Sequence, residues 1–179
     1  MALIPARIIV AMGVASSGKS VVGRAVSRRL HAPFFDGDDF HPIANKDKMR
    51  AGIPLTDDDR WPWLKTLAQA MHDGAVHKGV AVGACSALRR SYRDYLTQEA
   101  HEPILFVYLD GDEETIAGRM KVRQHEYMPA SLLASQFATL EVPTPDENVL
   151  TLAVTLPVEA IAERVVKAVP HLKSFARKQ

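Results

Sequence analysis

The octapeptide GVASSGKS, residues 13–20, constrains the fold more than any other feature of the sequence. It fills the pattern G-x-x-x-x-G-K-[ST], in which backbone N–H groups of a loop and of the following helix point at phosphate oxygens. The apolar run RIIVAM (7–12) precedes it as a buried strand candidate, and KSVVGRAVSRRLH (19–31) follows with apolar residues at helical spacing. Because this motif works between a strand and a helix, the octapeptide predicts a nucleoside triphosphate site.

Each position of this phosphate loop has an expected role. Lys19 is expected to reach the β and γ phosphates, and Ser20 to offer its hydroxyl to Mg²⁺. Small-molecule kinases often carry glycine at the position of Ser16, so a positive φ there would store strain of about 1 kcal/mol. The predicted nucleotide ligands of the loop are Gly13, Val14, Ala15, Ser16, Ser17, Gly18, Lys19 and Ser20.

The rest of the chain alternates short apolar runs with longer helical spacings, which indicates an α/β fold with a parallel sheet. Strands are predicted at 7–12, 33–35, 80–85, 103–110 and 149–154, and helices at 19–31, 42–52, 63–77, 88–99, 113–123, 130–140 and 157–169. The segments IPLTDDDRWP (53–62), with Thr56 or Asp57 as a cap, and VPTPDEN (142–148) are predicted loops. Without repeats or linkers, residues 1–179 are expected to form a single domain with a frayed tail at about 172–179.

Composition excludes several functions. Lysine and arginine (22) nearly balance aspartate and glutamate (21) and are scattered, which argues against nucleic acid as a partner. No apolar run reaches the roughly 18 residues of a membrane span. Cleavage of a signal peptide after Ala15 would cut the phosphate loop, so a cytoplasmic protein is expected. The single cysteine, Cys85, excludes an intramolecular disulfide and is interpreted as a buried structural thiol.

The acidic stretch FFDGDDFHP (34–42) ends the predicted strand that follows the phosphate-loop helix. Ligands of open parallel sheets bind at the carboxyl ends of strands, so these carboxylates are expected to face the nucleotide. Asp38 is predicted to position an acceptor hydroxyl and take its proton, and Asp36 to hold the metal through water. Asp39 would point away. A solvated Asp-Gly turn is the alternative, and it is favoured for the second such stretch, DGD at 110–112.

A phosphate loop leaves two classes of protein open: a switch or motor that hydrolyses nucleotide, and an enzyme that phosphorylates a small molecule. GTPases recognise guanine with an Asn-Lys-x-Asp tetrad. The stretch NKDK (45–48) carries Lys48 where the aspartate should stand, and it arrives long before the late strand that such a motif follows. The sequence therefore favours the phosphotransferase.

Six segments together resemble the gluconate kinases, small P-loop kinases that make 6-phosphogluconate from gluconate and ATP for the pentose phosphate or Entner-Doudoroff routes. They are GVASSGKS, DGDDFHP, NKDKM, G-x-PL-x-DDDR-x-PWL, CSALRRSYRDYL and SQFATLE-x-P, in order from about Ile8 to Pro143. The resemblance implies a five-stranded parallel core sheet like that of nucleoside monophosphate and shikimate kinases. It also implies a helical substrate-binding region, a mobile lid, ATP with Mg²⁺, gluconate as substrate and a homodimer. Shikimate kinases themselves carry a glycine triplet after the third strand, where this chain reads ACSAL.

Residue roles follow from the resemblance position by position. His41 is expected to bond the polyol chain, with a helix-capping role as the alternative. The substrate carboxylate calls for a fork donor, for which Arg60, Arg89 and Arg93 are the candidates; the family often has lysine at position 89. Gln136 matches a family position and is assigned to the substrate.

The lid is expected at about 123–130. Arg119 and Arg123 lie one helical turn apart, where they could cover the nucleotide and stabilise charge on the transferring phosphoryl group. A solvated surface position is the alternative for Arg119. Acids 57–59 are interpreted mainly as helix caps, and Trp61 and Trp63 as packing residues.

Overall fold

A five-stranded parallel sheet forms the centre of the structure, a computed structural model that describes residues 3, 5–122 and 130–172. The strands are β1 (Ile8–Met12), β2 (Phe34–Asp36), β3 (Ala81–Ala84), β4 (Ile104–Asp110) and β5 (Val149–Ala153). They lie in the order β2-β3-β1-β4-β5, and every neighbouring pair is parallel. The predicted α/β fold is therefore confirmed. The predicted lid, including Arg123, and the predicted tail lie outside the described residues except for Ala130 and Leu172.

Seven helices and two short 3₁₀ turns surround the sheet in the described ranges. The helices are α1 (Lys19–Leu30), α2 (Ile43–Arg50), α3 (Asp57–Lys78), α4 (Arg90–Ala100), α5 (Glu113–Val122), α6 (Ala130–Thr139) and α7 (Val158–Ala168), and the turns span Gly37–Phe40 and Pro170–Leu172. Among these helices, none is both long enough and apolar enough to cross a membrane.

Both faces of the sheet are covered, which explains why its strands read as continuous apolar runs. All five residues of β1 are buried. Because side chains alternate along a strand, Ile9 and Ala11 pack with α1 and α7 on one face. Ile8 and Val10 pack with α3 and α4 on the other face. These two layers fix β1 at the centre and carry the loop that follows it.

Helix α3 begins six residues before the predicted start at Trp63, so the prediction of a loop through residue 62 was wrong. Thr56 is the N-cap, as expected, and its side chain accepts from Asp59 N while the Asp59 side chain accepts from Thr56 N, a capping box. Three aspartates in the first turn also suit the positive end of the helix. The capping box and these aspartates outweigh the cost of Pro62, which lies inside the helix and removes one backbone hydrogen bond.

The carboxyl ends of β1, β2 and β3 meet at one edge of the sheet. Asp36 is in register with Ala84, and Ala84 with Ala11, across three neighbouring strands. The phosphate loop starts two residues after Ala11. The chain therefore brings the acidic stretch and the phosphate loop to the same edge, as the sequence predicts.

Candidate active site

The phosphate loop turns sharply between β1 and α1. Gly13 and Gly18 have φ angles of 142° and 99°, and Ser16 lies in the left-handed region with φ 59°. A Cβ atom at Gly13 would lie 3.0 Å from Ser17 Oγ and 3.1 Å from Leu109 O, so glycine is required there for space as well as conformation. The positive φ of Ser16 meets the condition for strain of about 1 kcal/mol stated above.

The N-terminus of α1 differs from those of α3 and α5. Its N-cap, Gly18, provides no side-chain acceptor, and its first turn contains no acidic residue. By contrast, α3 has a capping box, and α5 has Asp112 Oδ1 accepting from Thr115 N at 2.7 Å. The latter confirms that the DGD stretch at 110–112 serves a helix start. The backbone donors of α1 are thus left for an anion, which is what a phosphate group requires.

The acidic stretch forms a 3₁₀ turn that is packed against the end of β3. Asp36 caps this turn, because its Oδ1 accepts from Asp38 N at 3.3 Å, and its Oδ2 lies 3.8 Å from Arg24 Nη2. A Cβ atom at Gly37 would lie 2.7 Å from Ala84 O, so the turn approaches the strand end at a distance that only glycine permits. Trp63 Nε1 donates to Gly37 O at 2.7 Å and holds the turn from α3.

The electrostatics of Cys85, the residue after β3, show that the turn and the phosphate loop share one space. Burial raises the pKa of the Cys85 thiol to about 12, while the charge of Lys19 lowers it and those of Asp38 and Asp36 raise it. The contacts agree, because Gly13 N donates to Ser86 O at 3.2 Å and Asp36 is in register with Ala84, so both segments lie at the end of β3. The high pKa and full burial also agree with a structural, unreactive thiol.

His41 lies just beyond the turn as a neutral side chain. Its ring stacks on Trp63 at 3.9 Å between centroids, and burial, with the charges of Lys46 and Arg60, lowers its pKa to about 4. Asn45 Nδ2 faces His41 Nδ1 at 3.5 Å and donates to Asp59 O at 2.9 Å. Since Nδ2 is only a donor, Nδ1 acts as the acceptor and the imidazole proton is on Nε2. Helix α2 receives no side-chain cap, whereas His41 is the C-cap residue of the 3₁₀ turn through its backbone, and its role toward the polyol chain stays a prediction.

Two of the three candidate arginines converge on Asp57. We name Asp57, Arg60, Arg89 and Tyr92 the acceptor cluster. Arg89 Nη1 lies 3.2 Å from Asp57 Oδ2, Tyr92 OH donates to Oδ1 at 2.5 Å, and Arg60 Nη1 is 3.8 Å from Oδ1. Both guanidinium groups also lie over the Tyr92 ring, at 5.3 Å for Arg60 and 5.8 Å for Arg89. One carboxylate cannot use all donors of two arginines, so the cluster retains donors for a second anion.

The third candidate, Arg93, lies elsewhere. Its guanidinium binds both carboxylate oxygens of Glu147, at 2.5 and 2.9 Å, and donates to Ala87 O and Leu88 O. The exposed fractions of the two side chains are 2% and 7%. Because its donors are used within the protein, the structure does not bring Arg93 to the acceptor cluster.

Arg119 and Gln136 both contact the phosphate loop. Arg119 Nη1 donates to Ser17 O at 3.5 Å, and its Nη2 donates to Val154 O, so the side chain bridges the loop and the end of β5. Gln136 Oε1 accepts from Ala15 N at 2.6 Å. Arg119 thus lies at the loop, where its role toward the nucleotide stays a prediction, and Gln136 also lies against the loop. Its substrate role stays a prediction.

Sequence reasoning missed two members of this site. Tyr92 was not singled out, although it follows Arg89 by three residues and so had a spacing that could have indicated contact. Asn45 belongs to the near-match to the guanine tetrad, but in α2 it supports His41, and Lys48 forms an ion pair with Asp59 at 2.7 Å. Their partners come from other elements, which no local motif announces.

Comparisons with known proteins agree with this geometry. The family described as shikimate kinase matches residues 15–168. The thermosensitive gluconokinase of Escherichia coli (strain K12) is 42% identical over 159 residues, which cover 88% of this chain and 84% of that protein. An unliganded sugar kinase from Janibacter sp. HTCC2649 is 42% identical with a TM-score of 0.88, covering 96% of this chain and 98% of that chain. A gluconokinase from Sinorhizobium meliloti 1021 is 38% identical with a TM-score of 0.82, and all of both chains is covered.

The parallel sheet, the phosphate loop and the family match define a P-loop kinase related to shikimate kinases, and hence a phosphotransferase that uses ATP. Within this class, the identity of about 40% over most of the chain is to gluconokinases. The chain belongs to the gluconokinase family.

Proposed function

We propose that this protein transfers the γ-phosphoryl group of ATP to the terminal hydroxyl of D-gluconate, giving 6-phospho-D-gluconate and ADP. The observation that carries the proposal is the acceptor cluster, whose arginines keep donors available beside the acidic turn. Trp63, three residues after Arg60 on α3, donates to Gly37 O next to Asp38, so the start of α3 and the acidic turn lie together. A polyol with a carboxylate at one end and a hydroxyl at the other matches this arrangement. The gluconokinase relatives support the choice of gluconate.

The carboxylate of Asp38 acts on the acceptor hydroxyl. It accepts the hydroxyl hydrogen bond, orients the oxygen toward the γ-phosphorus and takes the proton as the new bond forms. The position of the turn supports this assignment, because Asp36 and the phosphate loop that carries Lys19 both lie at the end of β3. His41 donates from Nε2 to a hydroxyl of the polyol chain, and its low pKa keeps it neutral in this role.

The phosphates are held by the loop and by α1. Backbone N–H groups at the uncapped start of α1 bind phosphate oxygens, and Lys19 leaves Val14 O, to which its Nζ donates at 2.9 Å, for the β and γ phosphates. Arg119 lies over this end of the loop. Arg123, which lies outside the described residues, stays a prediction as the second arginine that stabilises charge on the phosphoryl group.

Mg²⁺ would neutralise charge on the β and γ phosphates when bound. Ser20 Oγ and, through water, Asp36 would hold it. Within residues 5–122 and 130–172 there is no group of three or more His, Cys, Asp or Glu side chains that could bind a metal alone. A metal that enters together with the phosphates fits this donor set, since Mg²⁺ commonly takes few protein ligands and several from phosphate and water.

The test is ADP formation from ATP with a panel of sugar acids and polyols. Gluconate should stimulate ADP formation strongly, and the matching polyol without a carboxylate should need a far higher concentration because the acceptor cluster has no anion to bind. Shikimate and a reaction without acceptor are the controls. If shikimate but not gluconate stimulated ADP formation, the substrate assignment would be wrong, and phosphate release without any acceptor would indicate a nucleotide-driven switch.

Two further expectations accompany this function. Assembly into a homodimer, which the family resemblance implies, is measured by light scattering on a size-exclusion column. A cytoplasmic location is measured by cell fractionation of the native protein. Neither the catalytic proposal nor its test depends on these two properties.

A further inference from the structure

The peptide unit between Val14 and Ala15 is held from both sides. Its carbonyl oxygen accepts from Lys19 Nζ at 2.9 Å, and its N–H donates to Gln136 Oε1 at 2.6 Å. Lys19 Nζ is the group expected to reach the β and γ phosphates. Gln136, on α6 and 121 residues later in the chain, contacts the same peptide unit as Lys19 Nζ and therefore lies near the expected position of those phosphates.

This contact changes the donor set of the loop. The N–H of Ala15 is directed to Gln136 and is not offered to a phosphate oxygen. A carboxamide that accepts through Oε1 presents its two N–H donors from the geminal Nε2 atom. Among the described residues, Gln136 Nε2 has no hydrogen bond, and the side chain is half-buried. Hydrogen bonds from such a donor to a charged oxygen are about twice as strong as neutral ones.

We propose that Gln136 completes the phosphate loop, with Oε1 fixing the Val14–Ala15 peptide and Nε2 donating to the γ-phosphate in place of the Ala15 N–H. This inference rests on the proposed use of ATP and deepens it by naming a γ-phosphate ligand. It differs from the substrate role predicted from the sequence. It also predicts a discrimination that a substrate ligand would not give, because Gln136 should matter for ATP and little for ADP.

The test compares Gln136→Glu with Gln136→Met by isothermal titration with ADP and with the β,γ-imido analogue of ATP. Glutamate can still accept from Ala15 N, but it replaces the donor with a negative charge beside the γ-phosphate. Methionine keeps the size and removes both functions. We expect Gln136→Glu to weaken binding of the ATP analogue about 30- to 100-fold and Gln136→Met about tenfold, with ADP affinity within about threefold for both.

Gln69→Glu on the exposed side of α3 is the matched control for the change in charge and should leave both affinities unchanged. ADP binding also reports that each variant is folded. If Gln136→Glu bound the ATP analogue like the unaltered protein, the residue would only anchor α6. Equal weakening of ADP and of the ATP analogue, or a change in the KM for gluconate alone, would also overturn the proposal. Because the titration contains no acceptor, a wrong assignment of gluconate would leave its result intact.

Discussion

Arg89 and Arg93 lie four residues apart at the start of α4 and belong to two contrasting regions. Arg93 and Glu147 form a closed ion pair with side-chain exposures of 2% and 7%. Arg89 and Asp57 form an open pair with exposures of 41% and 44%. A desolvated pair must use its donors within the protein, whereas a solvated pair can exchange one partner for a ligand. The comparison separates charge that holds the fold from charge that is available for binding.

The largest effect is expected on the open side, at Asp38. Asp38→Asn keeps the shape of the side chain but removes the proton acceptor, so kcat should fall by several orders of magnitude, about 10³-fold or about 4 kcal/mol in the barrier. Affinity for the ATP analogue and the free energy of unfolding should be unchanged. Initial rates of ADP formation and titration calorimetry measure the two quantities.

Asp39→Asn is the matched control for this change, because Asp39 is exposed and adjacent in the same turn. It should retain full activity. Near-normal turnover of Asp38→Asn would remove Asp38 from the mechanism, and an equal loss in both variants would mean that the turn as a whole, rather than one carboxylate, is needed.

The next effect is expected on the closed side, in stability. Arg93→Met leaves Glu147 buried without its partner and should lower the free energy of unfolding by about 3–5 kcal/mol. Arg89→Met removes a solvated pair and should change it by less than about 1 kcal/mol. Urea denaturation of both variants measures the difference. If both variants lost the same free energy of unfolding, the two ion pairs would not differ in what they contribute to stability.

His41 combines features of both regions, because it lies beside the acceptor cluster but is only 8% exposed. Its pKa is lowered from 6.5 to about 4, so the unfolded state binds its proton more readily and stability is lost as pH falls from 6.5 toward 4. The loss attributable to His41 should reach about 3 kcal/mol at most.

The unfolding free energy of His41→Gln, measured by denaturation at several pH values, should depend less on pH than that of the unaltered protein over this interval. Between pH 6.5 and 8 the two curves should run parallel, because the histidine is neutral in both states there. Parallel curves below pH 6 as well would mean that the ring is solvated and belongs to the open side.

The place of the phosphate loop between β1 and α1 was predictable from eight consecutive residues and the apolar pattern on either side of them, but its contact with Gln136, 121 residues later, was not. The acidic turn was predictable as well, since β2 is short and parallel strands end at one edge. These features are local or follow from topology. They required no knowledge of which side chains meet across the sequence.

The roles of Arg89 and Arg93 could not be separated from the sequence. The predicted helix began at about residue 88, which would have put the two arginines on one helical face. In the structure Arg89 is the N-cap with extended backbone, φ −96° and ψ 150°, so it lies outside the helical repeat to which Arg93 belongs. The partner of Arg93 comes from the loop 142–148, 54 residues later. A shift of two residues in the start of this helix thus determines whether the two arginines share one helical face and one function.

The smallest expected effect is on the KM for gluconate, and it distinguishes the two arginines of the acceptor cluster. Lysine keeps the positive charge but lacks the paired N–H donors of the guanidinium group. Arg→Lys substitutions therefore show whether a bound carboxylate needs those paired donors at each position. Arg60 donates to Leu55 O, lies over Tyr92 and is 22% exposed, so it is the more fixed of the two. A substrate carboxylate bound by a preorganised fork should therefore depend on Arg60.

We expect Arg60→Lys to raise the KM for gluconate about tenfold and Arg89→Lys less than about threefold, with kcat close to that of the unaltered enzyme in both. Steady-state rates with varied gluconate at saturating ATP measure this. The reverse order would assign the carboxylate to Arg89, and a fall in kcat instead of a rise in KM would mean that the cluster acts on the transferring group rather than on the distant end of the substrate.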